Sequence, residues 1–231
     1  MRVARLHGWD LDVAGASAVQ ARLAGRVETG PALGRVETVA GADVSGGKKD
    51  EWIVAAAVVV RLGTLEVVEV ATASARATWP YVPGYLSFRE APALLEAFRR
   101  LKSRPDLVIC DGQGRAHPRR LGLASHVGLA LGVPTVGCAK SRLVGEARGR
   151  LGEARGSRAA LVDGGERIGT VLRTRSGVRP VYVSVGHRID LASACRWVLA
   201  SAARYRLPEP IRAAHRIVTE AKREWMAHGQ A

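Results

Sequence analysis

The spacing of apolar residues changes along the chain, and each spacing indicates a different type of element. Between residues 35 and 74, short runs rich in Val, Ile and Ala predict three strands, at 36–44, 51–61 and 64–74. Gly63-Thr64 is the predicted turn between the second and third strands. Because the connections are short, we expect an antiparallel meander.

The middle of the chain alternates helical and strand patterns. Apolar residues recur at helical spacing over 86–102, where Pro92 is expected to mark the true first turn. A short apolar strand follows at 106–112, then a helix at 119–132 and a buried strand at 133–140. This alternation predicts parallel strands joined by helical crossovers.

The two ends of the chain complete the pattern. A short amphipathic helix is predicted at 15–27. The segment 142–158 is rich in Gly, Arg and Glu and lacks periodicity, so it is predicted to be an exposed, mobile loop. The elements predicted after it are a hairpin with arms at 166–174 and 178–186, a helix at 191–205 capped by Asp190, and a helix at 211–226.

Together these elements predict an α/β fold with one mixed sheet. Three antiparallel strands come first and parallel strands follow, with helices on both faces of the sheet, which is the ribonuclease H-like order. No repeat and no linker between two cores is visible, so residues 1–231 are predicted to form a single domain.

The charge of the chain points to a polyanionic partner. Its 231 residues include 35 Lys and Arg against 21 Asp and Glu, a formal net charge of +14. Nucleic acid is the usual partner of such a protein. A GC-rich genome would also favour Arg over Lys, but it does not account for the excess of positive charge.

The composition excludes several other classes of protein. Hydrophobic residues at 47% and charged residues at 24% are typical of a folded domain rather than a disordered chain. No apolar run reaches the ~18 residues of a membrane helix. The three cysteines are far apart, which argues against a disulfide framework or zinc site, and the N-terminus has no apolar signal core. We therefore expect a cytoplasmic protein without membrane contact.

Two aspartates end predicted strands of the sheet. Asp43 and Asp111 each follow an apolar run and precede a glycine-containing turn, at 44–47 and 112–114. If the two strands are neighbours, a spacing of ~4.8 Å lets both carboxylates bind one cation. Oxygen ligands favour Mg²⁺ or Mn²⁺. The alternative is that each aspartate only caps its turn.

Two further residues are candidates to complete such a site. Glu90, near the start of the predicted helix 86–102, is the third carboxylate, and His215 lies in the last helix. In the alternative interpretation Glu90 complements the helix dipole and His215 is an ordinary helix histidine.

The segment 79–86 holds aromatic residues on a stiff loop. Pro80 and Pro83 restrict the backbone on either side of Tyr81. An aromatic ring held this way on a basic protein suits insertion between bases, since stacking contributes ~1–3 kcal/mol per base. The alternative is a hydrophobic loop that covers the core.

The segment 111–119 is dense in groups that bind phosphate. Its glycines allow the backbone to approach a ligand, His117 can donate to a phosphate, and Arg119 adds charge. Lys140, which follows the apolar residues 133–139, could stabilise charge that develops on a phosphoryl group. Taken singly, residues such as His117 and Lys140 are more often ordinary surface residues.

Four stretches taken together resemble the endonuclease V family, the deoxyinosine-specific nucleases of DNA repair. They are GADVSGG, PYVPGYLSFRE, LVICDGQGRAHPRRLGLASHVGLALGVPTVGCAKSRLVGE and VSVGHRIDL. The resemblance implies a ribonuclease H-like fold and a need for Mg²⁺, for which Mn²⁺ can substitute. It also implies cleavage of the second phosphodiester bond 3′ to hypoxanthine, leaving 3′-hydroxyl and 5′-phosphate ends.

The resemblance also implies roles for individual residues. Asp43 and Asp111 correspond to metal ligands, with Glu90 and His215 as further groups of the active centre, although many relatives have Asp where this chain has His215. Lys140 and His117 match positions near the scissile phosphate, and Tyr81 matches the strand-separating wedge. Backbone N–H groups near Gly112 could favour hypoxanthine over adenine. The predicted DNA-contacting set is Pro80, Tyr81, Val82, Gly84, Leu86, Gly112 and Arg119.

Other functions stay open on the sequence. The expected partner is DNA containing deoxyinosine, bound by a monomer, but inosine in RNA or branched DNA would suit the same chemistry. A non-catalytic nucleic-acid-binding module is a further alternative, which leaves Asp43 and Asp111 unexplained because acids at a DNA surface weaken binding.

Overall fold

A computed structural model describes residues 1–46 and 51–228, the side chains as far as residue 224. Within these ranges nine strands form one sheet, in the spatial order β3-β2-β1-β4-β5-β9-β8-β7-β6. The strands are β1 (Thr38–Ser45), β2 (Trp52–Arg61), β3 (Val67–Arg76), β4 (Leu107–Cys110), β5 (Thr135–Ala139), β6 (Glu146–Arg148), β7 (Arg158–Asp163), β8 (Glu166–Leu172) and β9 (Val181–His187). The helices are α1 (Val13–Ala24), α2 (Leu86–Arg100), α3 (Leu123–Leu131), α4 (Leu191–Ser201) and α5 (Glu209–His228).

The sheet confirms the predicted mixed α/β architecture. β1, β2 and β3 form the antiparallel meander, and β1 pairs in parallel with β4, which pairs in parallel with β5. The predicted hairpin is the antiparallel pair of β8 and β9. β1 therefore lies directly beside β4, and it carries the predicted metal ligand Asp43 near its C-terminal end, which is Ser45.

Helices cover both faces of the sheet, and β2 shows why its sequence is apolar throughout. Ile53, Ala55 and others of odd number in β2 pack in the core that contains α2 and α3. Ala56, Val58 and Val60 pack in the opposite core, with α4 and α5. A strand buried on both faces needs apolar residues at every position rather than an alternation.

The structure corrects the predicted start of two helices. α2 begins at Leu86 and contains Pro92 in its interior, so the prediction that Pro92 marks the first turn is wrong. A proline inside a helix costs about 3 kcal/mol, and burial of residues such as Phe88 and Phe98 in the core offsets that cost. The helix predicted at 119–132 begins only at Leu123, because the preceding residues form a loop against the sheet.

The Arg- and Gly-rich stretch 142–158 is exposed as predicted but not wholly irregular. It contains β6, and the unpredicted β7 follows it and joins β6 to β8. All three residues of β6 are exposed. An edge strand held by backbone hydrogen bonds alone needs no apolar pattern, which is why periodicity missed it.

Gly47, the last residue of the predicted turn 44–47, lies outside the residues that the structure describes. Of the helices within the described ranges, none combines the length and apolar character needed to cross a membrane.

Candidate active site

Asp43 and Asp111 lie side by side at the ends of adjacent parallel strands. The register pairs Ala42 of β1 with Cys110 of β4, so the two aspartates are the next pair along. The Asp111 N–H donates to the Ala42 carbonyl at 3.0 Å, which continues the ladder to this point. Neighbouring strands are ~4.8 Å apart, and both residues follow the strand alternation onto the face that packs against α5.

A cationic or basic side chain from another element contacts each carboxylate. His215 of α5 places Nδ1 2.7 Å from Asp43 Oδ2, and its side chain is 61% exposed. Lys140, the residue after β5, forms an ion pair through Nζ with Asp111 Oδ2. Asp43 itself is only 8% exposed, so its charge is poorly solvated.

Burial and mutual repulsion shift the acidities in this cluster. Burial and then the charge of Asp111 raise the pKa of Asp43. Burial, together with the charges of Asp43 and Asp111, raises the pKa of Glu90 on α2 to about 8. Burial opposes ionisation of Lys140, but its hydrogen bond to Asp111 prevails and raises the pKa of the amine.

These acidic groups fit a divalent cation. Burial first, and then the charges of neighbouring carboxylates, raise the pKa values of Asp43 and Glu90, and a cation among these groups and Asp111 would relieve the repulsion. Their ligand atoms are oxygens, which hard cations prefer. Across 1–46 and 51–228 no three His, Cys, Asp or Glu side chains are already gathered as a metal cluster. Instead, Lys140 forms an ion pair with Asp111, and His215 contacts Asp43.

A pocket of about 280 Å³ opens beside Asp111. Three residues of the predicted DNA-contacting set, Gly84, Leu86 and Gly112, line it, as does Lys140. Tyr81 and Val82 form part of its wall, and Tyr81 is 43% exposed. Pro80 is exposed and is not among the lining residues. The site thus combines a concave space with one carboxylate of the acidic cluster, Asp111, in its wall.

The loop before α2 both covers the core and reaches the pocket. Residues 82–85 form a turn in which the Tyr85 N–H donates to the Val82 carbonyl at 3.0 Å, with Pro83 and Gly84 at its centre. The φ of Gly84 is +82°, as a type II turn requires at that position. Trp79 is buried and Arg89 donates to its carbonyl at 2.6 Å, so Trp79 covers the core while Tyr81 reaches the pocket.

His117, predicted near the scissile phosphate, and Arg119, predicted to contact DNA, are both hydrogen-bonded within the protein. His117 is buried; its Nδ1 accepts from the Arg119 N–H at 3.1 Å and its Nε2–H donates to the Gly84 carbonyl at 2.9 Å. Burial lowers the pKa of His117 to about 4, so the ring is neutral at pH 7. The Arg119 guanidinium donates to the Gly84 carbonyl at 2.8 Å. In this arrangement both residues support the turn 82–85, which forms the rim of the pocket and is called the pocket rim below.

The loop after β4 lies directly on the sheet. A Cβ built on Gly137 of β5 would lie 2.3 Å from the Gly114 nitrogen, so neither backbone leaves room for a side chain between them. Arg115 N–H donates to the Val185 carbonyl of β9 at 2.7 Å. The Gly112 N–H donates to the Cys110 carbonyl at 2.9 Å and is therefore already hydrogen-bonded within the protein.

Sequence reasoning missed several residues that support the site. Gln113 lines the pocket and donates from Nε2 to the Ser141 carbonyl at 2.9 Å. Glu166 accepts from Arg115 and Arg120, both at 2.7 Å, and ties the loop to the β7–β8 turn. Gln20 of α1 bonds to the pocket rim. Gln20 and Glu166 lie outside the quoted motifs, and a single polar residue of this kind carries no sequence signal for such contacts.

Comparisons with known proteins agree with the fold. A family profile described as Endonuclease V matches residues 21–216. An Endonuclease V of Rhodospirillum centenum is 52% identical over 216 residues, which cover 93% of this chain and 90% of that protein. The crystal structure of the Endonuclease V from Streptomyces avermitilis has a TM-score of 0.90 at 44% identity, covering 98% of this chain and 100% of that one. That of Ciona intestinalis Endonuclease V, in complex with a 24mer DNA containing an inosine followed by a ribo-adenosine, has a TM-score of 0.81 at 25% identity, covering 92% and 98%.

Proposed function

The chain belongs to the endonuclease V family, and from that premise we propose that it cleaves DNA containing deoxyinosine in a Mg²⁺-dependent reaction. The observation that carries the proposal is the pair Asp43 and Asp111 on adjacent strand ends beside a pocket of about 280 Å³. The Ciona intestinalis relative bound to inosine-containing DNA supports the choice of substrate. We further propose cleavage of the second phosphodiester bond 3′ to the lesion, with 3′-hydroxyl and 5′-phosphate products, by a monomer.

The carboxylates would hold the metal. Asp43 and Asp111 are the proposed ligands, with Glu90 and His215 next to them, and Mn²⁺ can substitute for Mg²⁺ because both prefer oxygen ligands. When bound, such an ion supplies a Lewis acid for the phosphate and acidifies a water nucleophile. Ligation requires each carboxylate to lose its proton, which the raised pKa values of Asp43 and Glu90 oppose at low pH.

Lys140 is the residue that we propose acts on the phosphate. Its ammonium contacts Asp111 and lines the same pocket, so a phosphate beside Asp111 lies within its field. A fixed positive charge in a partly buried site stabilises the negative charge that builds up on the reacting phosphate. His117 does not share this task, because its ring nitrogens are bonded to Gly84 and Arg119.

The pocket would take the extruded base. Tyr81 at its edge can stack in the gap that the base leaves in the duplex, which offsets part of the cost of unstacking. Hypoxanthine differs from adenine by an O6 acceptor in place of the N6 donor, so a donor in the wall favours it. Since the Gly112 N–H is already bonded, other donors of the pocket must provide that discrimination.

Inosine in RNA is the second candidate substrate. The DNA bound to the Ciona intestinalis relative has a ribonucleotide directly after the inosine, a position next to the bond we propose is cut. A site that accepts a 2′-hydroxyl there would accept RNA as well.

The deciding experiment maps the cut on end-labelled oligonucleotides. A duplex with one deoxyinosine is expected to give a single 3′-hydroxyl product ending one nucleotide beyond the lesion, with Mg²⁺ and not with EDTA. The matched duplex with adenine should stay intact. Faster cleavage of inosine RNA would shift the assignment to the second candidate, cleavage of four-way junctions alone to a branched-DNA nuclease, and salt-dependent binding without products to a non-catalytic module.

A further inference from the structure

A buried glutamine of α1 contacts the back of the pocket rim. Gln20 is 0% exposed and lies on a helix whose other buried residues are apolar. Its Nε2 donates to the Gly84 carbonyl at 3.0 Å and to the Leu121 carbonyl at 3.2 Å. Its Oε1 accepts from Arg119 Nε. Every polar atom of the side chain is thus bonded to one of the two loops that enclose the pocket.

The Gly84 carbonyl is the point where these contacts meet. It accepts from Gln20 at 3.0 Å, from His117 Nε2 at 2.9 Å and from Arg119 Nη2 at 2.8 Å. A carbonyl oxygen has two lone pairs, so three donors leave it no further capacity and fix the orientation of that peptide. Leu86, two residues further along the same loop and helix start, lines the pocket.

A second side chain of α1 contacts the same turn. Ser17 donates its hydroxyl proton to the Val13 carbonyl at 2.8 Å, so the Tyr85 hydroxyl is the donor in its 2.7 Å contact with Ser17 Oγ. The Arg119 guanidinium lies 4.2 Å from the centre of the Tyr85 ring. Ser17 and Gln20 are three residues apart and therefore share one face of the helix.

We propose that α1 clamps the pocket rim and that Gln20 is a positioning residue for base recognition. The role rests on the proposed function only in that the pocket's ligand is an extruded base. Neither Gln20 nor Ser17 lies in the motifs that carry the family resemblance. By fixing the Gly84 peptide before substrate arrives, the clamp reduces the ordering that binding would otherwise require. Its loss therefore weakens binding more than it slows the cleavage step.

The test removes the hydrogen bonds while keeping the packing. Gln20→Met preserves the length of the side chain, and Gln20→Glu keeps an acceptor for Arg119 but loses both donors. We expect Gln20→Met to raise the KM for an inosine duplex roughly tenfold, with kcat within about twofold of wild type. Gln20→Glu should have an intermediate effect. Leu23→Ala, one turn along α1 and equally buried, is the control for general loosening of the helix and should lower the melting temperature without raising KM.

A second measurement does not depend on activity. Amide exchange of Tyr85, whose N–H is bonded to Val82, should accelerate roughly tenfold in free Gln20→Met and not in free Leu23→Ala. Accelerated exchange in a protein that leaves inosine DNA intact would support the clamp and overturn only the proposed substrate. Unchanged KM and exchange in both Gln20 variants, or equal changes in Leu23→Ala, would overturn the clamp.

Discussion

The pocket rim and the acidic cluster beside the pocket are stabilised in opposite ways. At the rim, the Gly84 carbonyl has three donors and the His117 ring is neutral, with both nitrogens bonded. In the acidic cluster, Asp43 and Glu90 have raised pKa values because of burial and of like charge nearby. The rim is preorganised by satisfied hydrogen bonds, whereas the acidic cluster has a repulsion that a bound proton or a cation relieves. In the proposed function, the fold alone supplies the base pocket, and cleavage depends on the metal that binds to the carboxylates.

Replacing a carboxylate of the acidic cluster should have the largest effect. Asp111→Asn keeps the shape but removes the charge, and we expect single-turnover cleavage of inosine DNA to fall at least about a thousandfold. Binding of the same duplex in EDTA should stay within about threefold of wild type, because the rim is intact. Asp10→Asn, an exposed acid outside the pocket, is the control. Cleavage by Asp111→Asn within tenfold of wild type would remove Asp111 from the metal site.

The metal requirement should depend strongly on pH. Since the pKa of Glu90 is about 8 in the metal-free protein, Mg²⁺ binding below that pH must release its proton. We expect the half-saturating Mg²⁺ concentration to rise roughly tenfold for each pH unit between 8 and 6, measured by cleavage at several metal concentrations. A half-saturating concentration that is flat over this range would show that Glu90 does not take part.

The same glutamate should destabilise the metal-free fold. Its folded pKa of about 8 exceeds the ordinary value of 4.5, so the penalty appears above pH 4.5 and is complete above pH 8. Glu90→Gln should therefore raise the free energy of unfolding by on the order of 2 kcal/mol at pH 7 in EDTA. Denaturant melts at pH 4.5 and pH 7 test this, since the gain should vanish at the lower pH. An equal gain at both values would point to packing instead of charge.

At the rim, Tyr81 should have the smallest of these effects. Tyr81→Ala is expected to weaken binding of inosine DNA roughly tenfold through lost stacking. Tyr81→Phe keeps the ring and should bind like wild type. Because Tyr81 is 43% exposed, the melting temperature should barely change in either variant. Equal dissociation constants for Tyr81→Ala and wild type would contradict the wedge role.

The sequence predicted the elements whose burial imposes a pattern. The apolar runs of β1, β2 and β4 and the short turns between strands implied that Asp43 and Asp111 could lie together, and the parallel pairing of β1 with β4 places them there. All three residues of β6 are exposed, so its sequence contains no apolar pattern from which a strand could be predicted. The prediction placed Pro92 in the first turn of its helix because proline favours that position. The structure differs because the packing of α2 outweighs the cost of a proline in the helix interior.

Residue type alone did not predict the partners of the polar groups at the rim. His117 and Arg119 are good phosphate donors, but their N–H groups are bonded to Gly84, a contact set by how two distant loops meet. Gln20 gave no signal, since a single glutamine in an amphipathic helix is ordinary. Its importance depends on the Gly84 turn, which lies 64 residues further along the chain.

The backbone contact between Gly114 and Gly137 separates the loop after β4 from changes in the hydrophobic core. Cores adapt to substitution by shifting side chains, and at this contact there are none to shift. Homologues could therefore exchange many core residues while the strand end that bears Asp111 keeps its place. For protein engineering, the core is open to stabilising redesign, and these two positions should be left as they are.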